Sequence, residues 1–493
     1  IQPAIQGDLN GINDFDSDQY KFSFGKKMVE KGKFKFSLLP VTLRQQVNTH
    51  HPYGWNDGSM IQAKGYQAVF SAGFYLKAGP LELQLNPEVV YAGNNSFETF
   101  PTSHSDSLWY YYYNQLNKID WPEQYGNSRY AKILPGQSKL LLSFGKISAG
   151  ISTENLWWGP GHRNSLMMSN SAPGFLHFTF HSNKPVRTFL GNLEWRVIAG
   201  QLKNSGILPP DTSRRFQGEL LYEPKHTSNR YINAVMLAWQ PKWVKGLSLG
   251  VSRSFFQYSD NIPKNLDGYF PIVGSLFKGN ARDESSFGRD QLLSLMFRWV
   301  FAKEQLELYG EFGRNDHSGN LSDLALEPEH SRAYLAGLKK YFPTGKNGNL
   351  EVLFEMTHLQ APSTGLVRDI PTWYQHFQIR HGYTHRGQLL GAGIGPGSNS
   401  QTAGLGWFRS GKKYGFMLER IVRNNDFYFQ AFTASRTSDR HWVDLSLNPY
   451  FSWYKNKLLY SANVSLVHSL NYQWRNDTNV FNFFGSFSVS YLF

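Results

Sequence analysis

The last twelve residues of the chain alternate between two kinds of side chain, and the two sets fall on opposite faces of an extended segment. One face carries Phe483, Gly485, Phe487, Val489, Tyr491 and Phe493, and the other carries mainly Asn482, Ser486, Ser488 and Ser490. Successive side chains of a β-strand point to opposite sides, so this segment has one apolar face and one polar face. A strand of this kind suits a barrel wall that separates lipid from an aqueous lumen.

The same two-residue period recurs along much of the chain. It is clearest at 247–255, 305–312, 351–357, 443–448 and 458–466. Weaker runs lie at 34–48, 66–78, 80–93, 138–150, 187–200, 230–240, 290–303, 331–341, 402–409, 412–423 and 426–435. Together these runs predict about 16 to 18 strands, a size found among outer-membrane barrels.

A soluble β-sandwich or propeller would also contain alternating strands. The polar face, however, includes Glu307, Glu311, Glu351 and Glu355, which a dry sandwich core could not hold unpaired. No run approaches the ~20 apolar residues of a spanning helix, and only helices and closed barrels satisfy the backbone in lipid. The sequence therefore predicts an all-β, transmembrane, antiparallel outer-membrane β-barrel that forms a single domain over residues 1–493 and carries the terminal aromatic residue typical of such barrels.

Composition and charge restrict the chemistry further. The chain has no Cys, which excludes a disulfide scaffold and a thiolate metal site. The formal charge of +13 favours anionic neighbours at a membrane surface, namely lipopolysaccharide phosphates or acidic polysaccharide. The basic residues are scattered and form no recognition module, which argues against nucleic acid. Because the sequence opens at Ile1 without a basic and apolar leader, we expect that a secretion signal has been removed.

One stretch that breaks the alternation spans residues 94–137 and is rich in Trp and Tyr. Ser105 and Asp106 are suited to cap a short helix within it. A connection of this length usually forms a plug, a lid or a binding element. We therefore predict an inserted plug of loops and short helices, whose aromatic rings either stack on sugars or pack on one another.

A second irregular stretch spans residues 369–401 and contains His376, His381 and His385 before a glycine-rich tail. The histidine spacing matches no zinc template and no carboxylate lies among them, so we predict no metal site. Pro396 would spoil the helix start of a dinucleotide fingerprint, so the glycines predict a tight turn. The chain contains no nucleophile elbow, and we predict neither a cofactor nor enzymatic activity.

The most distinctive run is ENLWWGPGHRN at 154–164. Together with DWPEQ at 120–124, PGQS at 135–138 and GYTHRGQ at 382–388, it resembles the Wzi-type capsule-assembly family of outer-membrane proteins, in the form found in the Bacteroidota. This resemblance implies a barrel of about eighteen strands with helical or loop elements at the periplasmic mouth. It also implies no known catalytic activity and a role in holding capsular polysaccharide at the cell surface.

Carried over by motif, the resemblance gives a set of residues expected to contact either saccharide or a plug. They are Trp157, Trp158, His162, Arg163, Asn164, Tyr383, His385 and Arg386. Aromatic faces would stack on sugar rings and Arg would bind uronate or phosphate groups, or the same residues would anchor a plug against the wall. A different hypothesis makes the barrel an accessory subunit of a secretion or gliding complex, with other outer-membrane proteins as partners. A passive porin would need an open lumen.

Overall fold

The computed structural model describes residues 27–31, 34–271, 288–315, 329–345, 348–362, 370–432 and 439–493. In this part of the chain, twenty-four strand segments join in one antiparallel sheet. Several segments continue one another across a kink. When these are taken together and the short segment Lys27–Lys31 is set aside, the sheet has eighteen wall strands.

We number the wall strands in chain order. They are β1 (Phe34–Leu38 with Val41–Asn48), β2 (Gly65–Ser71 with Phe74–Ala78), β3 (Leu81–Leu85 with Glu88–Ala92), β4 (Tyr130–Leu134 with Lys139–Phe144), β5 (Ile147–Ser152), β6 (His177–Ser182 with Val186–Thr188), β7 (Gly191–Leu202), β8 (Arg230–Pro241), β9 (Leu247–Tyr258), β10 (Arg289–Phe301), β11 (Leu306–Asn315), β12 (Arg332–Pro343), β13 (Gly348–His358), β14 (Asn399–Arg409), β15 (Lys412–Val422), β16 (Val443–Lys455), β17 (Leu458–Leu470) and β18 (Val480–Tyr491).

The sheet closes on itself. Each wall strand pairs with the next, and β18 pairs with β1, so that Phe484 lies opposite Asn48 and Tyr491 lies opposite Val41. Lys27–Lys31 continues the pairing along the first part of β1. Closure removes the exposed sheet edges that would invite pairing with another chain. The predicted barrel is confirmed, and the sandwich and propeller alternatives are wrong.

The two faces of the wall differ in polarity. In β16, Leu445 and Leu447 point outward and are 41% and 40% exposed, whereas Asp444 and Ser446 point inward and are 1% and 6% exposed. This is the alternation expected of strands between hydrocarbon and a polar interior. The same burial holds for the four predicted inward acids, Glu307, Glu311, Glu351 and Glu355.

The connections at the two ends of the barrel differ in length. At the end that contains the start of β1 and the end of β18, consecutive strands are joined by short turns, such as 145–146 and 456–457. At the opposite end the connections are long, such as 93–129, 153–176 and 203–229. Bacterial barrels place short turns in the periplasm and long loops outside the cell. We therefore call the long-connection end the outer mouth.

The helices within the described residues all belong to long connections. They are α1 (Asp106–Leu116), α2 (Leu266–Tyr269) and α3 (Asn425–Phe432), with 3-10 turns at Ser259–Asn261 and Tyr472–Trp474. Two small hairpins pair Arg215–Phe216 with Glu219–Leu220 and Thr384–His385 with Gln388–Leu389. No helix in the described ranges is long and apolar enough to cross a membrane. The described helices lie at the outer mouth, whereas the resemblance implied such elements at the periplasmic one.

Some sequence predictions for individual elements need correction. The cap of α1 is as predicted, since the Ser105 Oγ accepts a hydrogen bond from the Leu108 N–H. The strand predicted at 426–435 is wrong, because Asn425–Phe432 is helical and brings Tyr428 and Phe432 together on one face. The run at 138–150 is two strands joined by a tight turn, and His177–Ser182 is a strand that the prediction omitted.

Candidate functional site

The connection 153–176, which carries the tandem-Trp motif, folds into the barrel and is held there by carboxylates of the wall. Glu355 of β13 accepts hydrogen bonds from three successive backbone N–H groups, those of His162 at 2.6 Å, Arg163 at 3.1 Å and Asn164 at 2.9 Å. The Tyr309 hydroxyl donates to the same carboxylate at 2.9 Å. Bonds to an ionised acceptor are about twice as strong as neutral ones. The motif is therefore fixed to the wall through its backbone.

Other inward acids bind the same segment. The Arg163 guanidinium pairs with Glu419 of β15 at 3.0 Å and lies over the Trp55 ring at 4.7 Å. The Leu166 N–H donates to Glu311 at 3.1 Å, and His162 Nε2 lies 3.5 Å from Glu307. Three of these acids, Glu307, Glu311 and Glu355, were predicted to face the lumen. Their partner turns out to be a segment of the chain itself.

The glycines of the motif allow this close approach. A Cβ on Gly159 would lie 2.7 Å from a carboxylate oxygen of Glu311, and a Cβ on Gly161 would overlap the carbonyl oxygen of Asn164. Trp158 is fully buried, and its backbone N–H donates to the Met168 carbonyl at 3.0 Å. The Gly-Pro-Gly turn and the second Trp therefore belong to a densely packed plug.

Residues 370–398 form the second part of the plug. The Tyr374 hydroxyl donates to the Leu166 carbonyl at 2.8 Å and accepts from the Ala392 N–H at 2.9 Å. Its ring stacks on that of Tyr383, which is fully buried, at 5.9 Å between centroids. The Ser169 N–H donates to the Leu390 carbonyl at 2.7 Å. The connection 153–176 and residues 370–398 therefore pack on each other inside the barrel, which no local pattern indicated.

The histidines of this second segment are structural. His385 Nδ1 accepts a hydrogen bond from the Lys203 N–H at 3.0 Å, and burial lowers the pKa of His385 well below its ordinary value. His381 Nδ1 lies 3.0 Å from the Tyr258 hydroxyl, and burial lowers the pKa of His381 to about 2. The Arg386 N–H donates to the Lys203 carbonyl at 2.7 Å. Across the described ranges, no group of three or more His, Cys, Asp or Glu side chains could hold a metal ion.

The predicted contact residues are thus brought together in or beside the plug. Trp158, Asn164, Tyr383 and His385 are buried there, and Trp157, His162, Arg163 and Arg386 are half-buried. Direct contact with saccharide stays a prediction for the half-buried members.

A cavity of about 150 Å³ lies above the plug, at the outer mouth. We call it the mouth cavity. The aromatic residues among its lining are Tyr53, Phe97, Tyr112, Trp121, Trp442, Tyr472 and Trp474. They come from four different long connections, so sequence reasoning found only those within 94–137. The others are far apart in the sequence and follow no period.

An aromatic cluster supports one side of the mouth cavity. Phe100 stacks on Tyr112 of α1 at 4.0 Å between ring centroids, and it meets Phe427 of α3 edge-on at 5.8 Å. Phe427 in turn contacts Trp474 at 4.6 Å. Part of the aromatic content of 94–137 therefore packs on other rings, and part faces the cavity.

Several residues that line the mouth cavity carry a buried polar atom without a protein partner. Among the described residues, His51 Nε2, Gln115 Nε2, Gln473 Oε1 and Trp474 Nε1 are buried and have no hydrogen-bond partner. Burial of such atoms without a partner costs free energy. Burial raises the pKa of Glu123, which also lines the cavity and accepts a bond from the Phe100 N–H at 3.0 Å. The cavity is therefore apolar on its ring faces and polar at several fixed points.

Comparisons with known proteins agree with this architecture. Residues 56–477 match the family model for capsule assembly protein Wzi. Among solved structures, the chain is similar to Escherichia coli Wzi, a carbohydrate-binding β-barrel involved in group 1 capsule assembly, with 13% identity, a TM-score of 0.61 and coverage of 100% of this chain and 90% of that one.

Other similar structures include Acinetobacter baumannii OccAB4, with 11% identity, a TM-score of 0.41 and coverage of 94% of this chain and 98% of that one. Pseudomonas aeruginosa OpdL has 10% identity, a TM-score of 0.43 and coverage of 94% and 99%. No curated protein matches the chain by sequence. Since the family model spans most of its length, the chain belongs to the Wzi capsule-assembly family of bacterial outer-membrane β-barrels.

Proposed function

We propose that this protein holds capsular polysaccharide at the cell surface by binding it in the mouth cavity, without catalysing a reaction. The observation that carries the proposal is the combination of aromatic faces with buried, partnerless polar atoms in a cavity at the outer mouth. The carbohydrate binding of Escherichia coli Wzi supports it.

The chemistry of the cavity suits a pyranose. The aromatic rings would cover the apolar C–H face of the sugar, as aromatic side chains do for flat apolar surfaces. The sugar hydroxyls would pair with Trp474 Nε1, Gln115 Nε2 and Gln473 Oε1, which lack partners among the described residues. Each such bond removes a desolvation cost that the protein carries when the site is empty of ligand.

We further propose that the plug and the mouth cavity have different roles. The predicted residues Trp157, Trp158, His162, Arg163, Asn164, Tyr383, His385 and Arg386 would hold the plug, which is supported by the burial of half of them. Of the stretch 94–137 that the sequence predicts to be an inserted plug element, Tyr130–Leu134 belongs to β4, and the part before it would form an inserted element that serves the mouth cavity. The outward residues of the wall would contact outer-membrane lipid and lipopolysaccharide, and the formal charge of +13 would favour an acidic capsule.

The sharpest test is Trp474→Phe, which keeps an aromatic ring and removes the partnerless N–H. We expect binding of purified capsular polysaccharide to weaken about two- to tenfold, as for loss of one neutral hydrogen bond. Trp109→Phe is the matched control, because Trp109 Nε1 is also buried without a partner in the described structure but Trp109 does not line the mouth cavity.

Binding would be measured by isothermal titration on folded protein in detergent, and the chain length of the polysaccharide would be followed in the same samples. Equal binding by wild type and both variants would reject the mouth cavity as the site. Shortening of the polysaccharide would reject the non-enzymatic role. Trp158→Ala should loosen the plug and leave binding at the mouth unchanged.

A further inference from the structure

A second cavity, of about 480 Å³, lies in the periplasmic half of the lumen, directly beneath the plug. Its lining comes from β1 and from β12 to β18, and His162 and Arg163 of the plug form its roof. We call it the lower cavity. It opens on the side of the short turns, away from the mouth cavity.

The lining of the lower cavity contains more cationic than anionic side chains. Lys339 Nζ lies 3.1 Å from one oxygen of Glu351, and Lys413 Nζ lies 3.4 Å from the other. Two ammonium groups therefore share a single carboxylate. The two arginines of the lining already have their own acids, since Arg44 pairs with Asp57 and Arg163 pairs with Glu419. The lysine pair is left with one positive charge in excess.

The wall beside Lys413 is rich in small polar side chains, because Lys413 of β15 lies in register with Ser452 of β16. Ser452, Ser461, Asn463, Ser486 and Ser488 line it, and the hydroxyl oxygens of Ser452 and Ser461 lie 3.3 Å apart. Asn463 Oδ1 is buried and has no hydrogen-bond partner among the described residues. Hydroxyl groups therefore continue in register from Lys413 across β16, β17 and β18.

We propose that the lower cavity is a second binding site, specific for an acidic sugar. The uronate carboxylate would lie between Lys339 and Lys413, where charge-assisted hydrogen bonds are strong. The ring hydroxyls would reach the serine side chains and Asn463. A small inorganic anion between the lysines would not reach along the row of hydroxyls from Ser452 to Ser488, so the geometry points to a saccharide. The proposal does not rest on binding at the mouth cavity, because the plug separates the two.

Lys413→Gln is the variant that tests this site with least disturbance. It removes the excess charge and leaves Glu351 paired with Lys339. The matched control is Lys412→Gln, which changes the net charge equally at the neighbouring exposed residue. Lys413→Arg keeps the charge and should restore binding. Trp474→Phe should leave binding at the lower cavity unchanged, so the two proposed sites can be tested independently.

The probe is a galacturonate trisaccharide, titrated calorimetrically into the folded full-length protein in detergent, with a neutral galactose trisaccharide and inorganic phosphate as comparisons. We expect Lys413→Gln to weaken galacturonate binding by about tenfold or more, with no loss in Lys412→Gln. Unchanged binding in Lys413→Gln would overturn the proposal. So would equally tight binding of the neutral trisaccharide, or competition by phosphate at the same concentration as the galacturonate.

Discussion

The plug should depend on the single carboxylate of Glu355. In Glu355→Gln, one oxygen stays an acceptor while the other is replaced by an NH₂ group that faces the N–H donors of the plug. The wild-type carboxylate receives the N–H groups of His162, Arg163 and Asn164 and the hydroxyl of Tyr309. When the NH₂ group takes the place of Oε2, the bonds donated by His162 and Tyr309 are both lost.

Hydrogen bonds to a charged group are worth about 1.5–3 kcal/mol each, so the loss amounts to about 3–6 kcal/mol. The variant also no longer buries a charge, which offsets part of this cost. We therefore expect a net destabilisation of the plug of about 2–4 kcal/mol. An opening equilibrium would then shift roughly 30-fold to 1,000-fold, since about 1.4 kcal/mol corresponds to a factor of ten.

Two measurements check this value. Hydrogen exchange of the amides of residues 162–164 should accelerate in proportion to the shift, because it reports local opening. Planar-bilayer recordings should show negligible steady current for the wild type and frequent openings for Glu355→Gln. Glu304→Gln makes the same chemical change at an exposed turn and should alter neither. Unchanged exchange at 162–164 in Glu355→Gln would refute the argument that this carboxylate holds the plug.

Three further outcomes follow from local contacts. Ser105→Ala should destabilise the first turn of α1 by about 1 kcal/mol, which would appear as faster amide exchange at Leu108. Unchanged exchange at Leu108 would show that the Ser105 cap does not stabilise the helix. Gly161→Ala should disturb the plug, because its Cβ overlaps the Asn164 carbonyl oxygen, and wild-type conductance in that variant would contradict the packing. The pKa of His381 is lowered to about 2, below its unfolded value, so its stabilisation is complete above about pH 6.5 and is lost as pH falls. The plug should weaken by about 2 kcal/mol between pH 7 and pH 5, and His381→Gln should show a flatter exchange-against-pH profile.

The wall of the barrel was predictable because lipid and lumen impose opposite demands on alternate residues. Leu445 beside Asp444 shows this contrast in β16. The same rule gave a wrong prediction at 138–150, because the alternation continues through the short turn 145–146 and two strands were predicted as one. In α3, a dense aromatic run was predicted as a strand, whereas the helix that forms there places Phe427 against Phe100.

The plug was only partly predictable. Alternation put Glu355 on the inner face, but the amides it binds lie up to 193 residues away along the chain. A backbone N–H has no sequence signature of its own, so nothing in the sequence pairs that acid with the Gly-Pro-Gly turn. The mouth cavity was missed for a related reason. Its rings come from several long connections, and only the closed barrel brings them together.

The distribution of charge inside the barrel argues against transport through it. Glu311, Glu355 and Glu419 would lose their plug partners if the plug left the lumen, whereas Glu307 would keep Arg298 of the wall. With the plug in place, backbone N–H groups bind Glu311 and Glu355, Arg163 binds Glu419, and a wall arginine pairs with Glu307. Removing the plug therefore breaks several charge-assisted contacts at once, and each buried group left without its partner costs free energy. A barrel built in this way is suited to keep the plug in its lumen.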